Sequence, residues 1–169
     1  MLLGRRDDAG VKRTKGGATP AVRAASAAGV LVGVHSYSHD PRHESFALEA
    51  AEALGVPPER VLKTLVAALS SGGELVVGVV PAAGRLDLKA LAAVAGAKSA
   101  LMADPRDAER ATGYVTGGIS PLGQRKRLRT FVSGSAASFS TVFVWGGRRG
   151  LEIELAPGDL VASTGGRYF

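Results

Sequence analysis

The sequence predicts an α+β fold in one domain of 169 residues. Strand-like and helix-like segments are intermixed along the chain, without the regular strand–helix alternation that builds a parallel α/β sheet. No internal repeat or linker divides the chain, which is long enough to bury one hydrophobic core. Hydrophobic residues make up 46% of the chain and aromatic residues only 5%, so this core is expected to consist mainly of Ala, Val and Leu.

Residues 1–18 are predicted to be a flexible basic extension before a domain over 19–169, because they carry five cations and two anions without hydrophobic periodicity. The chain has a net charge of +6, to which this extension contributes +3 and residues 113–129 contribute +4. Basic charge confined to a tail and one loop indicates a local anionic partner. The N-terminus has no apolar block of signal-peptide length, and no stretch approaches the ~20 residues of a membrane span, so a soluble, cytoplasmic protein is expected.

The first three predicted elements are a helix, a strand and a second helix. Thr19 is the N-cap of the first helix, with Pro20 at its first position. Residues 31–38 alternate in the manner of a strand. The second helix, over 45–54, has helical spacing and places three residues on one side: Phe46, Ala50 and Ala53.

A pair of strands is predicted next, over 61–69 and 74–80, joined by a Ser-Gly-Gly turn. The periodicity of the first segment, VLKTLVAAL, fits a helix as well as a strand. As a strand, it places Lys63 on one face with Val61 and Leu65. A lysine among apolar side chains either extends to the surface or faces an anion, so Lys63 is a candidate functional residue.

The rest of the domain continues the mixture of helices and strands. Asp87 and Asp104 are the N-caps of two further helices, which end at Gly96 and Gly113. The remaining predicted elements are strands over 99–102, 130–132, 141–145 and 151–155, and a last turn of helix over 159–163.

The loop over 113–129 reads GYVTGGISPLGQRKRLR and is the most informative stretch of the chain. Gly117 and Gly118 permit backbone conformations closed to other residues and let a ligand approach the backbone N–H groups closely. Four cations follow: Arg125, Lys126, Arg127 and Arg129. The combination is typical of a phosphate-rich partner beside a backbone-lined pocket, although a surface turn before a solvated basic run has the same composition. A nucleotide P-loop is excluded, since Gln124 follows Gly123 where a P-loop has lysine.

Other kinds of catalytic site have less support in the sequence. His35, His39 and His43 recur at the spacing of metal ligands on a helix, but Pro41 interrupts any such helix, so no metal is expected. The chain has no cysteine, which excludes a thiol nucleophile of its own. It also has no Gly-x-Ser-x-Gly elbow to expose a serine.

Several short runs follow one another in one order over roughly residues 19–162. They are TPAV at Thr19, HSYSHDP at His35, KTLV at Lys63, RLDLKALA at Arg85, ALMADP at Ala100, TGYVTGGISPLGQRKRL at Thr112 and GGRRGLEIELAPGDL at Gly146. In these runs the chain resembles the YbaK family of aminoacyl-tRNA deacylases, which are relatives of the editing domain inserted into bacterial prolyl-tRNA synthetases. The collinear order is more specific than any one motif.

The resemblance implies a mixed, barrel-like sheet flanked by helices, and a site without a cofactor or metal. It implies catalytic roles for Lys63 and for Gly118, whose backbone would hold the substrate carbonyl. The substrate-binding residues that it implies are Tyr37, Phe46, Thr64, Gly117, Ser120, Trp145 and Glu152. The tRNA-binding residues are expected in the basic run: Arg125, Lys126, Arg127 and Arg129.

The activity that the resemblance implies is removal of mischarged cysteine from tRNA(Pro), in which the thiol of the substrate attacks its own carbonyl. Prolyl-tRNA synthetase is a possible partner. Trp145 and Glu152 depart from the family pattern, which commonly has a small polar residue and an aspartate there, so the pocket is expected to differ in size and polarity. Two alternatives stay open: a deacylase for another small amino acid such as alanine, and a non-catalytic binder of aminoacyl-tRNA.

Overall fold

Five α-helices and eight strands form the part of the chain that the computed structural model describes, residues 18–169. The helices are α1 (Pro20–Ala27), α2 (Phe46–Leu54), α3 (Leu88–Ala95), α4 (Pro105–Thr112) and α5 (Pro157–Thr164). The strands are β1 (Gly33–Ser36), β2 (Val61–Leu69), β3 (Leu75–Pro81), β4 (Ala100–Met102), β5 (Arg129–Val132), β6 (Val142–Trp145), β7 (Leu151–Leu155) and β8 (Arg167–Tyr168). The α+β class is confirmed. The predicted N-terminal extension falls almost entirely on residues outside this description.

The helix ends lie where side-chain caps and glycines predict them. The Thr19 hydroxyl accepts a hydrogen bond from the Val22 N–H, and the Asp104 carboxylate accepts one from the Arg106 N–H. Gly113 ends α4 in the left-handed conformation, with φ of 79°. These local hydrogen bonds satisfy backbone groups that a helix end leaves unpaired, and for that reason they can be recognised from sequence.

Three predictions about local structure need correction. The strand predicted over 31–38 is shorter, because β1 pairs with its neighbour β7 only over Gly33–Ser36, and the Tyr37 N–H adds one last hydrogen bond in the same register, to the Gly150 carbonyl oxygen. The last helix is longer than predicted and begins at Pro157. Strand β8 was not predicted, because a strand of two residues is too short to show a periodic pattern. Ala53 is exposed and does not share the buried side of α2, which consists of Ala47, Glu49, Ala50 and Ala51.

All eight strands belong to one mixed sheet, in the order β1-β7-β6-β2-β3-β5-β8, with β4 paired to β2. The ambiguous segment over 61–69 is the central strand β2, which runs antiparallel to β3 and β4 and parallel to β6. Since both of its faces are covered, the strand is apolar on both sides, which explains why its sequence alternates so weakly.

The two faces of the sheet pack against different helices. Leu62, Val144 and Ile153 lie in the largest core, together with small residues of α1 and α4. On the opposite face, Val61, Phe143 and Trp145 pack against the alanines of α2. A third cluster joins α3 to the far ends of β2 and β3. None of the helices within residues 18–169 is long and apolar enough to cross a membrane.

Candidate active site

Lys63 lies on the α2 face of the sheet, in the middle of a row of side chains from neighbouring strands. The parallel ladder pairs Leu62 with Val144, so Lys63 and Trp145 are the next residues on their strands. Trp145 pairs in turn with Glu152 of β7, and Glu152 pairs with His35 of β1. The structure therefore brings together Lys63, Trp145 and Glu152, three residues predicted for one site and separated by up to 89 positions in sequence.

The Lys63 ammonium group is half-buried and donates a hydrogen bond to the Ala82 carbonyl oxygen at 3.2 Å. Burial lowers the pKa of Lys63, and the positive charge of Arg85 lowers it further. No ion pair within residues 18–169 includes Lys63. A positive charge held in this way gains stability when an anion arrives.

Glu152 is fully buried, and neither of its carboxylate oxygens has a hydrogen-bond partner in the described part of the chain. Burial raises the pKa of Glu152 well above its usual range, because the ionised carboxylate is poorly solvated there. The Tyr37 phenol lies close enough to Glu152 to be affected by its charge. Burial raises the pKa of Tyr37, and a negative charge on Glu152 raises it further. A polar group without a protein partner in the interior needs a partner from outside the protein, such as a water molecule or a ligand.

Phe46, at the start of α2, links this face to the glycine loop. A side chain added at Gly117, where φ is +87°, would place its Cβ 2.8 Å from the Phe46 ring. The Arg149 guanidinium covers the same ring, with its Cζ 4.3 Å from the ring centroid. Its Nη2 donates to the Thr116 carbonyl oxygen at 3.3 Å. Phe46 thus lies against the loop at a position that only glycine permits.

Gly118 lines a cleft of about 280 Å³ together with Val115, Gly147, Arg148 and Arg149. Its N–H donates to the Val115 carbonyl oxygen at 2.9 Å and is therefore already used within the loop. Gly118 leaves room in the cleft because it has no side chain. Its backbone N–H could donate to a substrate oxygen only if the hydrogen bond to Val115 were broken.

Two predicted pocket residues have side chains directed elsewhere. Thr64 follows Lys63 in β2 and therefore points to the opposite face, where its hydroxyl is buried without a partner among the described residues. Ser120 is also fully buried, and its hydroxyl accepts a hydrogen bond from the Leu122 N–H at 3.2 Å. These two side chains contribute to the strand core and the loop turn, not to the face that carries Lys63.

The basic run divides into two parts. Arg125, Lys126 and Arg127 are exposed, and the backbone amides of Arg125 and Lys126 bond the last carbonyl groups of α4. Arg129 differs because its guanidinium makes a two-point ion pair with Glu74, at 2.9 Å for both contacts. Its charge is therefore compensated within the protein, and the available positive charge of the run comes from the other three residues.

Two further features of this site are not among the residues predicted from sequence: Arg149, and a histidine–glutamate pair beside Phe46. His39 Nδ1 lies 2.8 Å from Glu49 Oε2, and the His39 ring packs edge-on to Phe46. Burial would raise the pKa of Glu49, but the Asp40 amide and His39 outweigh it and hold that pKa below its usual range. The sequence does offer one signal for Arg149, which is the pair of adjacent arginines between Gly147 and Gly150. His39 and Glu49 come together only through the fold.

Comparisons with known proteins show which family the sequence belongs to. A sequence profile of the aminoacyl-tRNA editing domain matches residues 43–162. EbsC of Enterococcus faecalis, named as a Cys-tRNA(Pro)/Cys-tRNA(Cys) deacylase, is 41% identical over 118 residues, which cover 70% of this chain and 71% of that protein.

Solved structures of similar proteins share the fold. A structure described as a trans-editing enzyme for prolyl tRNA synthetase superimposes with a TM-score of 0.72 at 25% identity, covering 82% of this chain and 84% of the other. The hypothetical protein APE2540 gives a TM-score of 0.78 at 27% identity, with coverage of 89% and 97%. Because the profile matches more than half of the chain and the relative at 41% identity covers more than two thirds of it, this chain belongs to the aminoacyl-tRNA editing domain family.

Proposed function

We propose that the protein is a trans-editing deacylase that removes cysteine from mischarged tRNA(Pro). The observation that carries the proposal is Lys63, a half-buried cation with no carboxylate partner among the described residues, on a face that also presents Glu152. A protein that only bound tRNA would need the exposed basic loop but no such lysine. The names of EbsC and of the trans-editing structure support the same substrate class.

In this proposal the aminoacyl ester lies over the sheet face, between Lys63 and the glycine loop. Tyr37, Phe46 and Trp145 enclose the amino acid, and Glu152 completes its hydrogen bonding with a polar group of the substrate. Lys63 stabilises the negative charge that develops on the carbonyl oxygen, since a fixed charge in a partly dry site costs little reorganisation. Gly117 and Gly118 let the ester approach the backbone, while Thr64 and Ser120 support the strand and the loop.

The nucleophile in this proposal is the thiol of the substrate, as the resemblance to the YbaK family implies, and this is compatible with a chain that has no cysteine of its own. The cysteinyl sulfur attacks its own carbonyl carbon, forming a C–S bond in a cyclic thioester. The C–O bond to the terminal ribose breaks, and the thiol proton goes to the departing ribose oxygen. The protein contributes orientation and charge stabilisation, which together can lower a barrier by several kcal/mol.

Release of labelled amino acid from a panel of charged tRNAs tests this proposal. The panel holds cysteinyl-, alanyl- and prolyl-tRNA(Pro), cysteinyl-tRNA(Cys), and cysteinyl-tRNA(Pro) with a methylated thiol. We expect rapid loss of cysteine from tRNA(Pro) and little loss from the methylated form. Faster loss of alanine would favour the alternative substrate, and equal rates with the methylated form would exclude the thiol as nucleophile. Retention of tRNA on a filter without release of any amino acid would indicate a binding protein.

A partnership with prolyl-tRNA synthetase is part of the proposal, because that synthetase is the enzyme that charges tRNA(Pro) and would supply the mischarged substrate. The name of the trans-editing structure supports it. Adding the synthetase to the deacylation reaction should raise the rate with cysteinyl-tRNA(Pro) and leave the rate with cysteinyl-tRNA(Cys) unchanged. Equal effects on both tRNAs would argue against a specific complex.

A further inference from the structure

The loop between β6 and β7 carries two adjacent arginines, Arg148 and Arg149, for which the reaction described above has no use. Both are exposed and both line the cleft of about 280 Å³ that also contains Gly118. No acidic residue lines this cleft, and no ion pair within residues 18–169 includes either arginine. The cleft therefore has two uncompensated positive charges at its edge.

Arg149 is held in place by neutral contacts. Its guanidinium lies over the Phe46 ring at 4.3 Å and donates to the Thr116 carbonyl oxygen at 3.3 Å. These contacts fix the orientation of the planar group without neutralising its charge, and most of its N–H donors stay available. A pre-oriented guanidinium suits a phosphate, whose oxygens accept two parallel hydrogen bonds.

The arginine pair is separate from the basic loop. Arg127 and Lys126 line two other clefts, and neither of those shares a residue with the cleft at Gly118. The two groups of cations are therefore placed to contact different parts of an extended polyanion. The arginine pair shares its cleft with Gly118, beside the position proposed for the ester carbonyl, whereas Lys126 and Arg127 share a cleft with Pro121.

We propose that Arg148 and Arg149 bind the phosphodiester that precedes the terminal nucleoside of the tRNA. This inference rests on the proposed function, since it takes the ester as bound next to Gly118. The phosphodiester is the first anionic group beyond that ester, one nucleoside away. A contact at this phosphate would hold the end of the tRNA in register with Lys63, whatever the sequence of its bases.

Binding of a short RNA that ends in CCA tests the inference without any catalysis. One form has natural linkages, and in the other the last phosphodiester is replaced by a neutral methylphosphonate. Loss of a hydrogen-bonded phosphate contact should weaken binding to the parent protein roughly 10-fold or more. The variant with both Arg148→Gln and Arg149→Gln should bind the natural RNA as weakly as the parent binds the RNA with the neutral linkage. The affinity of this variant should be the same for the two RNAs.

Arg106→Gln, a change at an exposed arginine of α4, is the matched control and should keep the full difference between the two RNAs. Arg149→Lys keeps the charge but not the planar stacking, and should keep part of that difference. If the arginine variant is still weakened 10-fold by the neutral linkage, or if the parent does not distinguish the two RNAs, the inference is wrong. Deacylation by the parent protein is measured separately. If the proposed function is wrong, the parent will not release the amino acid, whereas the difference in affinity between the two RNAs will still depend on the arginine pair.

Discussion

At the scale of single residues, Glu152 is the most unusual group in the structure. A carboxyl group that is buried without a partner costs free energy when it ionises, so the folded protein holds its proton more tightly than the unfolded chain does. Glu152 therefore reduces stability at neutral pH.

Glu152→Gln should relieve that cost in a pH-dependent manner. Below the ordinary pKa of glutamate, ~4.3, both states are protonated and ionisation of Glu152 contributes no cost. As pH rises from there to the raised pKa of the folded protein, the parent should lose up to ~1.4 kcal/mol of stability per pH unit, whereas the variant cannot ionise. Denaturant unfolding at pH 5 and pH 8 should show a larger advantage for Glu152→Gln at pH 8. The same change at the exposed Glu59 is the control, and a pH-independent difference for Glu152→Gln would contradict the assignment.

At the scale of elements, the glycine loop and α2 form one unit. Gly117 lies against Phe46, and Arg149 reaches the same ring from the β6–β7 loop, so three segments meet at one side chain. This contact fixes the distance between the loop and the sheet face that carries Lys63. The site therefore depends on a backbone conformation, φ of +87° at Gly117, as much as on its charged residues.

Gly117→Ala should damage this unit. Its Cβ would lie 2.8 Å from the Phe46 ring, and its backbone conformation is one that alanine rarely adopts. Strain of this kind costs about 1–3 kcal/mol, measurable as a lower midpoint of denaturant unfolding. Gly158→Ala is the matched control, because an added Cβ there meets no atom within 4 Å and the residue lies in α5, where alanine is preferred. Equal stability of the two variants would mean that the loop adapts freely and does not position Phe46.

The elements could be predicted from sequence where their signals are local. Caps at Thr19 and Asp104 and glycines such as Gly113 marked helix ends to within a residue or two, since their hydrogen bonds connect near neighbours. Lys63 was recognisable because a charge interrupts an apolar strand. The two-residue strand β8 had no such signal, because its pairing with β5 depends on residues far away in sequence.

The rest of the site depends on contacts across the fold. Arg129 was grouped with the basic run, but its partner Glu74 lies on another strand, 55 residues earlier. Thr64 was predicted for the pocket beside Lys63, although strand geometry directs adjacent side chains to opposite faces. The stacking of Arg149 on Phe46 joins residues that no spacing rule connects. Such contacts become visible only when the strands are placed in register.

At the scale of the whole molecule, two groups of exposed cations within residues 18–169 are suited to an extended anion. The net charge of the chain is +6, and Lys126 and Arg127 of the basic run line a different cleft from the arginine pair. Long-range attraction of this kind raises the rate of encounter with a polyanion and is screened by salt.

Neutralising Arg125, Lys126 and Arg127 together should weaken tRNA binding and flatten its dependence on salt. Each lost phosphate contact lowers the slope of log affinity against log salt by roughly 0.7–0.9. Arg129→Gln should change the slope little, since Glu74 already compensates that charge. Titrations at several salt concentrations give both slopes. An unchanged slope in the triple variant would mean that the basic run is a solvated surface without a role in tRNA binding.

The rate of cysteine release from tRNA(Pro) under single-turnover conditions, compared between the parent and Lys63→Ala, tests the central claim most directly. Lys89→Ala, a change at an exposed lysine of α3, is the control. If Lys63 stabilises the transition state, its removal should cost on the order of 3 kcal/mol, at least ~100-fold in rate, with tRNA binding and folding nearly unchanged. Lys63→Ala acting at the parent rate would contradict the claim that this face of the sheet is the active site.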